Sequence, residues 1–131
     1  MTTKTPNPPI AFGLLPTVGT QMEGGTYAGV TTRKDGTHHA VVLLPDHGTK
    51  LTWKKAMNWA AKLGAELPTR PVAALLFANL KAQLQPNWHW TSEEDDASCA
   101  WGCSFGYGYQ GYRHKSYEGC AVAVRLIPLI A

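Results

Sequence analysis

Residues 100–120, which read AWGCSFGYGYQGYRHKSYEGC, concentrate the side chains that could bind a ligand or react with one. The stretch holds four of the five tyrosines, two of the three cysteines and five glycines. Tyrosine offers a large amphipathic contact area with only two torsions to fix, while glycine and serine add adaptable backbone and small hydrogen-bonding groups. The composition therefore predicts a ligand-binding surface.

We expect nine positions to share one exposed face or loop: Cys99, Gly102, Ser104, Tyr107, Tyr109, Tyr112, Arg113, His114 and Tyr117. The anchors are expected to be Tyr107, Tyr109 and Tyr112, because aromatic residues and arginine dominate binding hot spots. Four residues between them are expected to be scaffold: Trp101, Phe105, Gln110 and Lys115. The alternative interpretation is a glycine-rich pair of strands whose tyrosines merely cover a sheet.

Cysteine and histidine leave a second possibility, a metal-dependent or redox enzyme. Cys99 and Cys103 would share one face of a strand, and His114 and Cys120 are near in sequence, so a zinc site is conceivable. Standard zinc spacing is absent, however, and free cysteines are the simpler interpretation. The acidic run EEDD at 93–96 could gather calcium, although a solvated loop is favoured. We expect no catalytic residue, no metal site and no cofactor.

Length, charge and cysteine count exclude several classes of function and partner. The 131 residues fit one domain, and the formal charge of +3 is spread without a basic run, so nucleic acid is not a favoured partner. An odd count of three cysteines argues against a disulfide framework. Prolines break the apolar N-terminal stretch, and no segment approaches the ~20 apolar residues of a membrane helix. We expect cytoplasmic synthesis without a signal peptide and no membrane insertion.

Residues 1–22 are rich in Pro, Thr and Gly and are expected to form an arm or linker that could dock on another copy or on a virion. Residues 23–131 are expected to form the binding domain. Its first half should contain a hairpin with strands at 27–31 and 38–44, the second stopped by Pro45. A helix should follow from Thr52 to Gly64, and another from Thr69 to the stop at Pro86.

The second half is expected to be rich in strands. WHWTSEE should place Trp88 and Trp90 on one face of a strand, CAWGCSF should form another, and CAVAVRLIP a third. All five tryptophans are expected in the core or at its edge. Strands before and after two helices give an α+β arrangement.

The ordered set LTWKKAMNWAAKLGAELPTR, WHWTSEE, AWGCSF and AVAVR resembles the C-type-lectin-like domains of bacteria and phages. Within them it is most similar to the uncharacterised lectin-like family that includes variable proteins of diversity-generating retroelements. The formylglycine-generating enzyme shares the broader fold and the LPT turn. The resemblance implies a C-type-lectin-like fold with two helices and a small, mostly antiparallel sheet.

The resemblance also implies a non-enzymatic function, in which a protein or carbohydrate on a cell surface is bound, as in a phage receptor-binding protein. In such proteins adenine rewriting of AAC codons yields codons that end in C, which cannot encode Trp, Gln, Lys, Glu or Met. Between 98 and 120 only four residues belong to that excluded group: Trp101, Gln110, Lys115 and Glu118. A virion structural or decoration protein remains an alternative. QPNW at 85–88 resembles the Glu-Pro-Asn motif of calcium-dependent animal lectins, without its downstream partner.

Overall fold

A sheet of eight strands dominates the computed structural model, which describes residues 8–131. In chain order the strands are β1 (Ile10–Ala11), β2 (Gln21–Met22), β3 (Gly25–Thr32), β4 (His38–Leu51), β5 (Trp88–Glu94), β6 (Cys99–Ser104), β7 (Gln110–His114) and β8 (Gly119–Ile130). Helices α1 (Trp53–Lys62) and α2 (Arg70–Leu80) lie between β4 and β5 in sequence. Two 3-10 turns span Phe12–Leu14 and Lys81–Gln83. None of the described helices is long and apolar enough to cross a membrane.

The sheet is larger than the sequence predicted, and it is mixed. Its order is β2-β3-β4-β8-β5-β6-β7, with β1 beside the end of β8. The pairs β5–β8 and β1–β8 are parallel and the others antiparallel. Within residues 8–131, strands hold 46% of the residues, and helices together with the 3-10 turns hold 22%. The predicted fold class, α+β and C-type-lectin-like with a small, mostly antiparallel sheet, is therefore wrong. The strands β1 and β2 were not predicted because two residues are too few to show an alternating pattern. They belong to the sheet only because they pair with distant strands.

Local signals defined the helices well. Gly64, at a φ of +67°, follows α1 as the expected terminating residue. The Thr69 hydroxyl caps α2 by accepting a hydrogen bond from the Val72 amide at 3.3 Å. The stop expected at Pro86 comes earlier, because α2 ends at Leu80 and a 3-10 turn carries the chain onward.

The predicted hairpin is present, but its second strand is longer than expected. Pro45 does not stop β4, which continues to Leu51. The register against β8 shifts between Leu43 and His47, so Pro45 lies in an irregular part of the ladder. Proline is tolerated at such a bulge because no ladder hydrogen bond requires its missing N–H.

The two helices cover opposite faces of β8. Val122 and Val124 belong to a core cluster with Val72 and Leu76 of α2. The residues between them alternate to the other face, where Ala121 and Ala123 join a cluster with Ala56 and Ala60 of α1. A third cluster contains four buried residues, Tyr27, Ala40, Val42 and Ile127, and the N-terminal residues Ile10 and Leu15 pack against it.

The sheet consists of two groups of strands that meet at a narrow junction. β5 joins β8 through a single register pair, His89 with Cys120. Two indoles bridge the same junction: Trp90 Nε1 donates to the Leu51 carbonyl, and Trp53 Nε1 donates to the Thr91 carbonyl, each at 2.9 Å. The strands β5, β6 and β7 are thereby fixed to the end of β4 and the start of α1.

The predicted arm at 1–22 falls partly outside the described residues, which begin at residue 8. Within its described part, β1 pairs with Leu129 and Ile130 at the end of β8. β2 pairs with the start of β3. Residues 10–22 therefore contact the sheet of the same chain.

Candidate functional site

The tyrosine-rich stretch folds as a hairpin of β6 and β7 with a tight loop at 105–109. Ser104 organises the loop: its carbonyl accepts from the Gly108 amide at 2.7 Å, and its own amide donates to the Tyr109 carbonyl at 2.8 Å. Phe105 is buried in the core beside α2 and anchors the loop. The neighbouring Tyr107 and Tyr109 consequently point away from the core and are 89% and 66% exposed.

A cleft of about 620 Å³ opens beside this hairpin. We call it the tyrosine cleft, and ten residues line it: Pro86, Asn87, Trp88, Ser104, Tyr107, Tyr109, Gly111, Tyr112, Arg113 and Tyr117. Six of them are among the nine positions predicted from the sequence: Ser104, Tyr107, Tyr109, Tyr112, Arg113 and Tyr117. Tyr112 and Tyr117 are 58% and 41% exposed. All four tyrosines of the stretch therefore meet at one concave surface.

The other three predicted positions lie elsewhere. Gly102 is buried, and a Cβ placed on it would lie 2.4 Å from the Trp88 ring, so it supports that ring and contributes no exposed contact surface. Cys99 and His114 face each other in the ladder at the opposite end of the hairpin from the loop. Neither side chain lines the cleft.

Four residues of the cleft were not predicted: Pro86, Asn87, Trp88 and Gly111. The QPNW motif was a signal for the first three, because it places them directly before β5. Trp88 was expected in the core, and it is 8% exposed. The register brings it to the cleft, since Trp88 pairs with Ser104 across β5 and β6.

Arg113 is held by aromatic rings. Its guanidinium carbon lies 4.6 Å from the centre of the Trp88 ring and 4.3 Å from that of Tyr117. Tyr117 in turn packs edge-on against Trp90, with ring centres 6.3 Å apart. Cation–π contacts of this kind orient a guanidinium without using its N–H groups.

The expected scaffold positions make structural contacts. The Trp101 ring lies 3.5 Å from the guanidinium carbon of Arg70, and Gln110 both accepts from Arg70 Nε and donates to the Arg70 carbonyl. Lys115 Nζ lies 2.5 Å from Glu94 and 4.8 Å from the Trp53 ring centre. Together with buried Phe105, these residues attach the hairpin to α1, α2 and β5.

The cysteines lie in environments that disfavour the thiolate. Burial raises the pKa of Cys103 to about 11, and it also raises the pKa of Cys99 and of Cys120. All three are free. His89, between Cys103 and Cys120 across the sheet, donates from Nδ1 to the Asn87 carbonyl at 2.7 Å, and burial lowers its pKa to about 4. Within residues 8–131 no group of three or more His, Cys, Asp or Glu side chains is placed to hold a metal ion.

The acidic run at 93–96 is engaged within the chain. Glu93 accepts from the Arg70 amide at 2.7 Å, and Glu94 pairs with Lys115. Asp96 accepts from the amides of Ser98 and Cys99, and these hydrogen bonds lower its pKa. Three of the four carboxylates therefore have partners within the chain, and Asp96 is the one that stabilises the turn between β5 and β6.

Comparison with known proteins adds no family to this geometry. No protein-family model matches the chain, and no curated protein matches it. A function has to be argued from the tyrosine cleft itself.

Proposed function

We propose that the chain is a non-enzymatic ligand-binding protein whose contact surface is the tyrosine cleft. The observation that carries this proposal is the convergence of four exposed tyrosines and Arg113 on one concave surface. Large exposed aromatic side chains are unfavourable on a surface that binds nothing, and a cluster of them is typical of a binding site. The fixed hairpin beneath them lowers the conformational entropy that binding must overcome.

The cysteine chemistry supports a binding function over the enzymatic alternative. A catalytic or metal-binding cysteine needs thiolate character and access. Cys103 is buried with a raised pKa, and Cys99 and Cys120 are half-buried with raised pKa values. None of the three lines the tyrosine cleft.

A finer proposal follows from the resemblance to variable proteins of diversity-generating retroelements: the exposed cleft positions are interchangeable, and the ligand lies on a cell surface. Gly102, Gly108 and Phe105 are closely packed and cannot be replaced freely; a Cβ on Gly108, for example, would lie 2.6 Å from the Phe77 ring. Replacement of residues is therefore limited to the exposed positions between them. The DNA around the gene tests it. A nearby copy of the segment for 98–120 that differs mainly at adenines, beside a reverse transcriptase gene, is expected; without both, the chain is not diversified in this way.

The binding proposal is tested with a mixed array of oligosaccharides and peptides probed with labelled protein. Tyr107→Ser and Tyr109→Ser should each weaken binding to the array members that the wild type retains, by about 30-fold for a hot-spot residue worth ~2 kcal/mol. Both side chains are largely exposed, so the unfolding temperature should hardly change. Leu14→Ser is the matched control, because Leu14 is 76% exposed and does not line the cleft. If Tyr107→Ser, Tyr109→Ser and Leu14→Ser all lost the same amount of array binding, the binding would be nonspecific adhesion. Unchanged binding in the two tyrosine variants would contradict the proposal.

A further inference from the structure

The guanidinium of Arg113 is oriented but has no acceptor. Its faces contact the rings of Trp88 and Tyr117, and these contacts leave its in-plane N–H donors free. Within residues 8–131 its side chain has neither a hydrogen-bond nor an ion-pair partner. A planar guanidinium in this state matches the two oxygens of a carboxylate, which accept two parallel hydrogen bonds.

Arg113 also supplies the charge of the cleft. The Trp88 ring beside it offers only its apolar surface, because its Nε1, which has no acceptor among the described residues, is buried and cannot be reached from the cleft. Among the described residues that line the cleft, Arg113 is the one charged side chain. The lining thus offers a positive charge and surplus donors, and it contains no carboxylate that would repel an anion.

The shape of the cleft favours a small ring-shaped ligand over a protein surface. A concave volume of about 620 Å³ lies within the range of small-molecule sites, whereas protein partners of ordinary affinity meet over ~800 Å² on each side. The exposed rings of Tyr107, Tyr109 and Tyr112 offer flat apolar faces with a polar hydroxyl at one end. Sugar rings complement such groups, because they have apolar C–H faces and many hydroxyl oxygens.

We propose that the tyrosine cleft binds an acidic oligosaccharide, with the carboxylate of one sugar on Arg113. This inference rests on the proposed binding function and names its ligand class. The neutral part of the sugar stacks on the tyrosines, and its oxygens supply acceptors to the donors that the chain leaves free.

The experiment compares matched ligand pairs by titration calorimetry. The probes are two acidic oligosaccharides, a uronic acid oligomer and a sialylated glycan, each used as the free acid and as its methyl ester. A tetraglutamate peptide is the fifth probe. At least one acid form should bind about tenfold or more tightly than its ester, as expected for a charge-assisted pair of hydrogen bonds. Arg113→Gln should abolish that preference, and Arg113→Lys should keep only part of it, because lysine retains the charge without the planar fork. Arg33→Gln, a surface change outside the cleft, is the control and should keep the full preference.

The outcomes separate this inference from the function on which it rests. Equal binding of acid and ester overturns the acidic ligand and leaves a tyrosine-based binding protein. Binding of tetraglutamate alone overturns the sugar and makes the ligand an acidic peptide. An acid preference that survives Arg113→Gln overturns the role of Arg113. Binding of none of these probes, together with an unreactive mixed array, overturns both proposals.

Discussion

Gly102 gives the sharpest test of how the cleft is built. Its Cα lies against the Trp88 ring, and an added Cβ would lie 2.4 Å from two ring carbons and 2.7 Å from the His89 carbonyl oxygen. Carbon atoms pack at about 3.5–4.0 Å, so Gly102→Ala has to displace the Trp88 ring by roughly 1 Å. The ring cannot easily give way, because Trp90 packs edge-on beside it and Arg113 lies over it.

The expected loss of stability is at the upper end of the range for an overpacked core. Such substitutions raise the free energy of the folded state by about 1–3 kcal/mol, while Gly→Ala recovers about 0.4–1 kcal/mol by restricting the unfolded chain. We expect Gly102→Ala to lower the free energy of unfolding by about 2 kcal/mol, which is roughly 6–10 °C in unfolding temperature for a chain of this size.

Urea unfolding and differential scanning calorimetry measure this loss, and two other glycines are the controls. A Cβ on Gly13 would meet nothing within 4 Å. A Cβ on Gly111 would lie 2.8 Å from the Tyr109 hydroxyl, but that side chain is exposed and can rotate away. Both alanine variants should change stability by less than about 1 kcal/mol. If Gly102→Ala were as stable as these controls, Trp88 would not be the rigid wall of the cleft described above.

Three further predictions concern the surroundings of the cleft. Burial lowers the pKa of His89 from 6.5 to about 4, so the unfolded chain takes up the proton first and stability falls as the pH drops from about 6.5 to 4. Urea unfolding at pH 7.5 and at pH 4.5 measures this loss, and in His89→Phe the fall in the free energy of unfolding between the two pH values should be about 2–3 kcal/mol smaller than in the wild type. An unchanged pH dependence would contradict the burial of His89. Native protein treated with iodoacetamide at pH 8 should be alkylated at Cys99 well before Cys103, by mass spectrometry, because Cys103 is buried and its pKa is raised to about 11; the reverse order would refute it. Phe105→Ala should lower the free energy of unfolding by about 3–5 kcal/mol, and Tyr107→Ala by under about 0.5 kcal/mol; similar losses would mean that the stretch is only a sheet.

The sequence was informative where the signal is local. Gly64, the Thr69 cap and the apolar stripes defined the two helices, although the Thr52 side chain makes no capping hydrogen bond. The alternation of Trp88 and Trp90 defined β5, and each of these signals lies within a dozen residues. The β7 strand was expected only in the alternative interpretation, a glycine-rich pair of strands, because glycines and tyrosines replace the usual alternation. The extent of the sheet was underestimated because β1 and β2 are strands only through their partners.

The candidate site divides in the same way. Composition alone was enough to predict that the tyrosines share one exposed surface, since that prediction depends on residue types. The position of Arg113 over Trp88, 25 residues earlier in the chain, depends on the register of three strands, which no short pattern encodes. Gly102 was assigned to the surface because a glycine in sequence does not reveal whether its missing side chain leaves room for a ligand or for a neighbouring ring.

The narrow junction between β5 and β8 divides the molecule mechanically. Every strand and loop that lines the tyrosine cleft lies on one side of it. The connection consists of one register pair, two indole hydrogen bonds, and the hydrogen bonds that link Ser92 to Pro68, Trp53 to Lys115, and Arg70 to Glu93 and Gln110. A force that pulls on a bound ligand while residues near the N-terminus are held would be borne by those few bonds in parallel with the packing of α1 and α2.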